Sequence, residues 1–253
     1  MPRLSVTIIT LDEQENIERA IRSVDFADEV LVVDSGSRDR TCDIARELGA
    51  KVLFNQWPGH VLQKQFAVDQ AAHDWILSID ADEKVSPELR EMIIAEMAAE
   101  SPRVDAFEVH RRTWYLNRWI RYAGWYPDKR IRLFDRRKAH WGGYDPHDWV
   151  ECDGKTALLA ADLQHFPYKD IADHMKTIDN YTTIMSDRLY EKGKRSGVAD
   201  VIFRPPYTFF KKFFLQKGLL DGFAGFVVSV SSAVSVYFKY LKLWEKRAIK
   251  GGR

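Results

Sequence analysis

Two carboxylates one residue apart, Asp80 and Asp82, follow the apolar run Trp75-Ile76-Leu77-Ser78-Ile79 directly. A buried strand ending there would deliver both side chains to the carboxyl edge of a sheet, where open α/β sheets bind ligands. Paired hard oxygen donors suit Mg2+ or Mn2+ bridging a diphosphate, an ion that spreads charge on a leaving group. The competing reading of the pair alone is a strand that ends in a solvated acidic turn. Thr10 and Asp34 share the same setting, since Thr10 closes the run Leu4–Thr10 and Asp34 closes Val30-Leu31-Val32-Val33.

The elements that must position these residues are readable from periodicity. Strands are expected at Leu4–Thr10, 29–33, Lys51–Phe54 and 75–79, each a short β-rich apolar run. Helices are expected between them at 16–24, 39–48 (stopped by Gly49) and 61–72, and a longer one to about residue 99 opens with Ser86 as cap and Pro87 at its first position. Four alternations at short spacing imply a mainly parallel sheet wrapped by helices. Right-handed crossovers then put the loops after these strands on one edge, so Thr10, Asp34 and the Asp80/Asp82 pair are expected around one crevice. Beyond residue 100 the alternation stops. Strands are expected at 105–112, 129–134 and 157–165, with an aromatic, basic insert at 114–126 and a helix over 170–191.

Size and composition fit an ordered globular chain: 253 residues, 45% apolar and 30% charged. Two cysteines, Cys42 and Cys152, offer neither a metal quartet nor a disulfide framework, which agrees with a reducing cytoplasm. The apolar start is too brief for a signal peptide and reads as the first strand. The net charge of +1 hides an asymmetry, because the segment from Tyr190 onward holds 13 Lys and Arg against 4 Asp and Glu.

Together, Thr10-Leu11-Asp12-Glu13-Gln14-Glu15-Asn16, Val33-Asp34-Ser35-Gly36-Ser37 and Asp80-Ala81-Asp82-Glu83 resemble, in order and spacing, the family 2 glycosyltransferases. The resemblance implies the GT-A fold, a Rossmann-like nucleotide-diphospho-sugar transferase with helices on both faces of a mixed, mainly parallel sheet. Within that family the chain is most similar to the bacterial lipopolysaccharide core branch, which adds a sugar to inner-core heptose. Lys217-Gly218-Leu219-Leu220-Asp221-Gly222 and the apolar helix after it carry that likeness. The resemblance assigns the nucleotide sugar, with UDP as the nucleotide, to Thr10, Leu11, Glu13, Asp34, Gly36, Asp80 and Ala81. A carboxylate at a strand end can accept hydrogen bonds from a base imide and ribose hydroxyls, and Gly36 lets the backbone approach the ligand. Asp12 stands where the family usually has Asn. Lys64 either approaches the diphosphate or ribose or stands solvated on its helix.

The same resemblance places the catalytic base after the Arg132-Leu133-Phe134 strand, in His147-Asp148-Trp149-Val150-Glu151. Asp148 occupies the motif position where the family usually has Glu. It is one methylene shorter, which leaves Glu151 as the alternative base. His165, at the end of a strand, is either the third metal ligand beside Asp80 and Asp82 or a structural histidine. The implied reaction is an inverting, metal-dependent transfer of a sugar to a hydroxyl of a lipopolysaccharide inner-core or related glycolipid acceptor. The competing readings are transfer to polyprenyl phosphate, which needs no base, and a non-catalytic membrane-bound nucleotide-sugar-binding protein.

Expected domains are a catalytic domain over 1–190, with a nucleotide-sugar half at 1–100 and an acceptor half at 101–190, and a basic helical extension over 191–253. Residues 223–238 carry no charge but include four serines, and a spanning helix needs about 20 apolar residues. Basic residues on both sides suit a helix lying on an anionic inner leaflet, so the protein is expected in the cytoplasm, peripherally associated with the inner membrane. Nucleic acid is not an expected partner, because the basic residues surround an apolar helix rather than a recognition motif.

Overall fold

The computed structural model describes residues 2–99, 102–145 and 147–250, which group into two compact units. The first comprises residues 1–112 and 128–165, the second 113–127 and 166–253.

In the first unit the expected alternation is present. It runs β1 (Leu4–Thr10), α1 (Ile17–Arg22), β2 (Glu29–Asp34), α2 (Thr41–Glu47), β3 (Lys51–Phe54), α3 (His60–Gln70) and β4 (Trp75–Asp80). A short β5 (Glu83–Val85) and then α4 (Pro87–Ala98) follow, with the Ser86 side chain accepting from the Leu89 N–H at 3.2 Å. Strands β3, β2, β1 and β4 are neighbours in that order and all parallel. The sheet continues antiparallel through β8 (Asp128–Asp135) to β6 (Ala106–Tyr115), then β11 (Thr156–His165) and β5.

Both faces of the central strands are covered, which is why they read as unbroken apolar runs. Val6, Ile8, Leu77 and Ile79 pack with Ile17 and Ile21 of α1 and with Leu89 and Ile93 of α4. Leu31, Val33 and Ile76 point the other way, against Ala67 and Val68 of α3.

The segment carrying Asp148 is a strand. β9 (Ala139–Tyr144) and β10 (His147–Cys152) form an antiparallel hairpin that pairs Asp148 with Gly143 and Glu151 with His140. Gly143 has φ +96°, and a Cβ there would lie 2.5 Å from the His147 carbonyl oxygen. Only glycine closes the hairpin without displacing its partner strand.

The second unit holds the aromatic insert and the C-terminal helices. Trp114 and Tyr115 pair with the two-residue β7 (Arg118–Trp119). Helix α5 (Ile171–Glu191) is capped by Asp170, α6 (Val198–Phe210) continues into a π-helical turn (Lys211–Leu215), and α7 (Gly222–Lys250) returns along both α5 and α6. Buried Asp221 accepts the N–H groups of Arg121 and Tyr122 at 3.0 and 2.8 Å. Tyr115, Ile120, Ala123, Ala224 and Val228 form an apolar cluster. Beside it the buried His174 bonds to the Tyr115 hydroxyl at 2.8 Å and stacks on Tyr168.

Burial pulls the His174 pKa down to about 4 from an ordinary 6.5. Between those values the unfolded chain binds a proton that the folded chain refuses, so His174 stabilises above about pH 6.5 and loses that contribution as pH falls toward 4. Urea melts across this range are expected to fall more steeply for the native chain than for His174→Gln, by on the order of 2–3 kcal/mol at the acid end.

Candidate active site

The loops after β1 and β2 are laced together. The Ser35 N–H donates to the Thr10 carbonyl, 3.0 Å. The Asp12 N–H donates to Ser37 Oγ and the Arg38 N–H to Asp12 Oδ1, both 2.8 Å, and the Glu13 N–H donates to Thr41 Oγ1, also 2.8 Å. Asp12 has φ +55°, a conformation that Asn and Asp tolerate better than other side chains. Asp therefore satisfies the geometry of the position where the family has Asn.

Asp34 is buried and turned into its own turn. Its Oδ2 accepts the N–H of Gly36 at 2.8 Å and of Ser37 at 2.9 Å, while Oδ1 accepts the Ser37 hydroxyl. Gly36 has φ +106°, the conformation that closes this turn. Glu13 accepts from Asn16 Nδ2 at 2.6 Å. Burial lowers the pKa of Arg19, and the carboxylates of Asp82 and Glu13 act against that effect. One guanidinium thus lies in the field of both the first loop tip and the fourth. Thr10 is buried, with no hydrogen-bond partner for its hydroxyl among the described residues, and Leu11 is half exposed.

At the end of β4, Asp80, the two-residue turn Ala81-Asp82 and Glu83 concentrate three carboxylates in four positions. The Lys64 ammonium, 4% exposed on α3, lies 2.9 Å from Asp80 Oδ1 and 2.7 Å from Asp148 Oδ2. Arg132 of β8 sends one nitrogen to Glu83 Oε1 at 2.7 Å and to Asp80 Oδ2 at 3.2 Å. Arg111 of β6 lies 3.8 Å from Glu83 and 2.8 Å from Asp128. Trp141 of β9 packs beside both inner cations, its ring centre 4.6 Å from Lys64 Nζ and 5.6 Å from the Arg132 guanidinium carbon.

These pairings set the charge states. Burial would raise the pKa of Asp80, but Lys64 and Arg132 outweigh it and hold the carboxyl well below the usual range. Asp148 follows the same logic: burial opposes its charge, and Lys64 reverses the balance. For Asp82 the opposing partner is His165. Burial, and after it the repulsion of Asp80, pushes Glu83 upward despite Arg132.

Asp82 and His165 fit a divalent cation. Pairing of β5 with β11 puts His165 opposite Glu83, and its Nε2 lies 3.3 Å from Asp82 Oδ2. The other Asp82 oxygen is buried without a hydrogen-bond partner among the described residues. A hard carboxylate oxygen beside an imidazole is a reasonable donor set for Mg2+ or Mn2+. Asp80 is directed to Lys64 and Arg132 instead, and no group of three such side chains among the described residues is arranged as a ligand set.

The pleat of β10 separates the two candidate bases. Asp148 and Val150 point inward, whereas Trp149 and Glu151 face out, where Glu151 accepts from Trp149 Nε1 at 3.1 Å and lies 3.8 Å from His140. Asp148 is thereby brought to Lys64 and Asp80, and Glu151 is not.

Several positioning residues carry no sequence signal of their own. Asp145 accepts the His60 N–H at 2.7 Å, tying the hairpin turn to the start of α3. Gln63 Nε2 donates to Ser35 Oγ at 3.0 Å, and Gln65 Oε1 accepts from the Trp141 N–H at 2.9 Å. Arg111 and Arg132 could have been suspected only as basic residues inside otherwise apolar strands.

The chain is similar to known glycosyltransferases. The sequence profile of Glycosyl transferase family 2 matches residues 5–152. The lipopolysaccharide core biosynthesis glycosyltransferase LpsC of Rhizobium meliloti is 28% identical over 98% of this chain and 94% of its own length. An uncharacterised glycosyltransferase of Rickettsia typhi is 32% identical over 97% of this chain and 88% of its own. Staphylococcus aureus TarS, solved with UDP-GlcNAc, aligns over 98% of this chain and 92% of that one with a TM-score of 0.49 and 13% identity. With more than half of its length matched by that profile, this chain belongs to the family 2 glycosyltransferases.

Proposed function

We propose that this enzyme transfers a sugar from a UDP-sugar to a hydroxyl of a lipopolysaccharide inner-core or related glycolipid acceptor, with inversion at the anomeric carbon. The observation that carries the reading is the Lys64 ammonium held between Asp80 and Asp148. It sets a buried cation between the acidic pair suited to a diphosphate and the carboxylate suited to an acceptor. The acceptor class follows that of the lipopolysaccharide core biosynthesis glycosyltransferase of Rhizobium meliloti, similar over nearly its whole length.

In this reading the loops bearing Thr10, Leu11, Glu13, Asp34 and Gly36 hold the uridine, and Ala81 lets the donor lie against the turn after β4. Asp82 and His165 would hold Mg2+ or Mn2+, which would neutralise charge on the departing diphosphate. Lys64 also faces that diphosphate. As the phosphates compete for its ammonium, its hold on Asp148 loosens and the carboxylate becomes a stronger base. Asp148 then takes the proton of the acceptor hydroxyl as its oxygen attacks the face opposite the leaving group. A single displacement turns an α-linked donor into a β-linked product without a covalent sugar–enzyme intermediate. The acceptor is lipid-linked, so the enzyme works at the cytoplasmic face of the inner membrane, peripherally bound through its C-terminal helices.

A screen of nucleotide sugars with Mg2+ or Mn2+ tests the donor half. The true donor raises the melting temperature, because a ligand confined to the folded state stabilises it. No shift with any UDP-sugar would refute this assignment. Asp148→Asn is expected to keep that donor-induced shift while losing on the order of 10²–10⁴ in transfer rate, measured as UDP release on adding acceptor. An unchanged rate would point instead to an anionic acceptor such as polyprenyl phosphate. Lys64→Met removes the cation that keeps Asp148 acidic. Its residual activity should weaken in donor affinity, and the acid limb of its pH–rate profile should move to higher pH.

A further inference from the structure

Helix α7 is long and apolar enough to cross a membrane, yet only a third of its most apolar window is buried. The polar face of its C-terminal part is tied to α5. Lys242 Nζ bonds to Asp179, Thr182 and Thr183 of α5, and Lys246 lies 2.7 Å from Asp187 of the same helix. A spanning α7 would drag these carboxylates into hydrocarbon or break their pairs.

The outer face of α7 is different. Phe223, Phe226, Val230, Tyr237 and Trp244 are exposed and recur at intervals of three, four, seven and seven residues, one straight stripe on a helix. Exposed Phe203, Tyr207 and Phe210 make a second stripe on α6, and the nearby Phe209 and Phe213 meet Phe226 of α7. Neither stripe carries an acidic residue. Asp200 is engaged by the Gly197 N–H and Arg204, and Asp221 is buried.

The α7 stripe ends in a basic basin. Trp244 lines a concavity of about 730 Å3 with Tyr190, Lys194, Arg195 and Arg247, and no carboxylate lines it. None of these three cations forms an ion pair among the described residues. The backbone that presents them is fixed, since the Gly193 N–H donates to Tyr190 and the Lys194 N–H to Leu189, at 2.9 and 2.8 Å. A cationic pocket at the end of an apolar track complements an amphiphile's anionic headgroup and apolar tail.

We propose that α6 and α7 dock side-on to an anionic bilayer, with the Lys194/Arg195/Arg247 basin seating the phosphate of a lipid headgroup and the aromatic stripes lying among the upper acyl carbons. This deepens the membrane part of the proposed function and is independent of its chemistry.

Vesicle co-sedimentation of the full chain tests it, using phosphatidylcholine alone and an equimolar mixture with phosphatidylglycerol. The native chain should bind the mixed vesicles and be released by alkaline carbonate. Arg195→Glu with Arg247→Glu should weaken that binding on the order of tenfold or more, and Phe203→Ser with Phe223→Ser should abolish it. All four positions are exposed, and unchanged melting temperatures check that the variants fold. Equal binding to both vesicle types would overturn the headgroup basin, and resistance to carbonate would mean a spanning helix. A dimer lost on Phe203→Ser with Phe223→Ser, without vesicle binding, would mean that a second copy covers the stripes. Vesicle binding without any UDP-sugar stabilisation would sink the transfer reading and leave this one standing.

Discussion

The first unit is organised around burying Lys64 and Arg132 among Asp80, Glu83 and Asp148. Taking such charges out of water is expensive, and their attraction offsets that cost only when every partner is in place. The cluster therefore constrains its surroundings. Removing a single member leaves an uncompensated charge, so each element that contributes one must hold its register. Lys64 comes from a helix, Arg132 and Asp80 from antiparallel neighbours, and Asp148 from a separate hairpin. Four parts of the chain are located by one electrostatic condition.

Helix α3 transmits that condition. Its consecutive residues Gln63, Lys64 and Gln65 reach the turn after β2, the acidic centre and strand β9 respectively. Two of the three bonds are made by uncharged amides, which hold geometry without adding to the local field. The turn after β2 and the hairpin carrying Asp148 are thus referred to the same short stretch of backbone.

How much of this could be read in advance depends on where each residue's information lies. The parallel half was legible because Val6, Ile8, Leu77 and Ile79 are buried between helices and leave apolar runs with turn residues at their ends. Loop motifs supplied Thr10, Asp34 and the Asp80/Asp82 pair. The hairpin was not legible, since Ala139–Tyr144 contains two glycines and two exposed positions and has no alternating apolar signal. Without the hairpin, Asp148 and Glu151 could not be told apart, because their difference is which way a pleat faces. Helix α6 falls within the expected helical extension, but its own bounds are not legible for a local reason: Pro205 and Pro206 sit inside it, and two adjacent prolines normally argue against a helix. Arg111 and Arg132 are legible only as exceptions, charged residues whose partners lie on other strands.

The bond from the His60 amide to Asp145 joins the hairpin tip to the first turn of α3. A protein engineer wishing to graft another relative's tip onto this scaffold therefore cannot treat 139–152 as a free-standing cassette. The transplant must bring its matching 59–65 segment, because the hairpin and the turn after β2 are both bonded to those same seven residues.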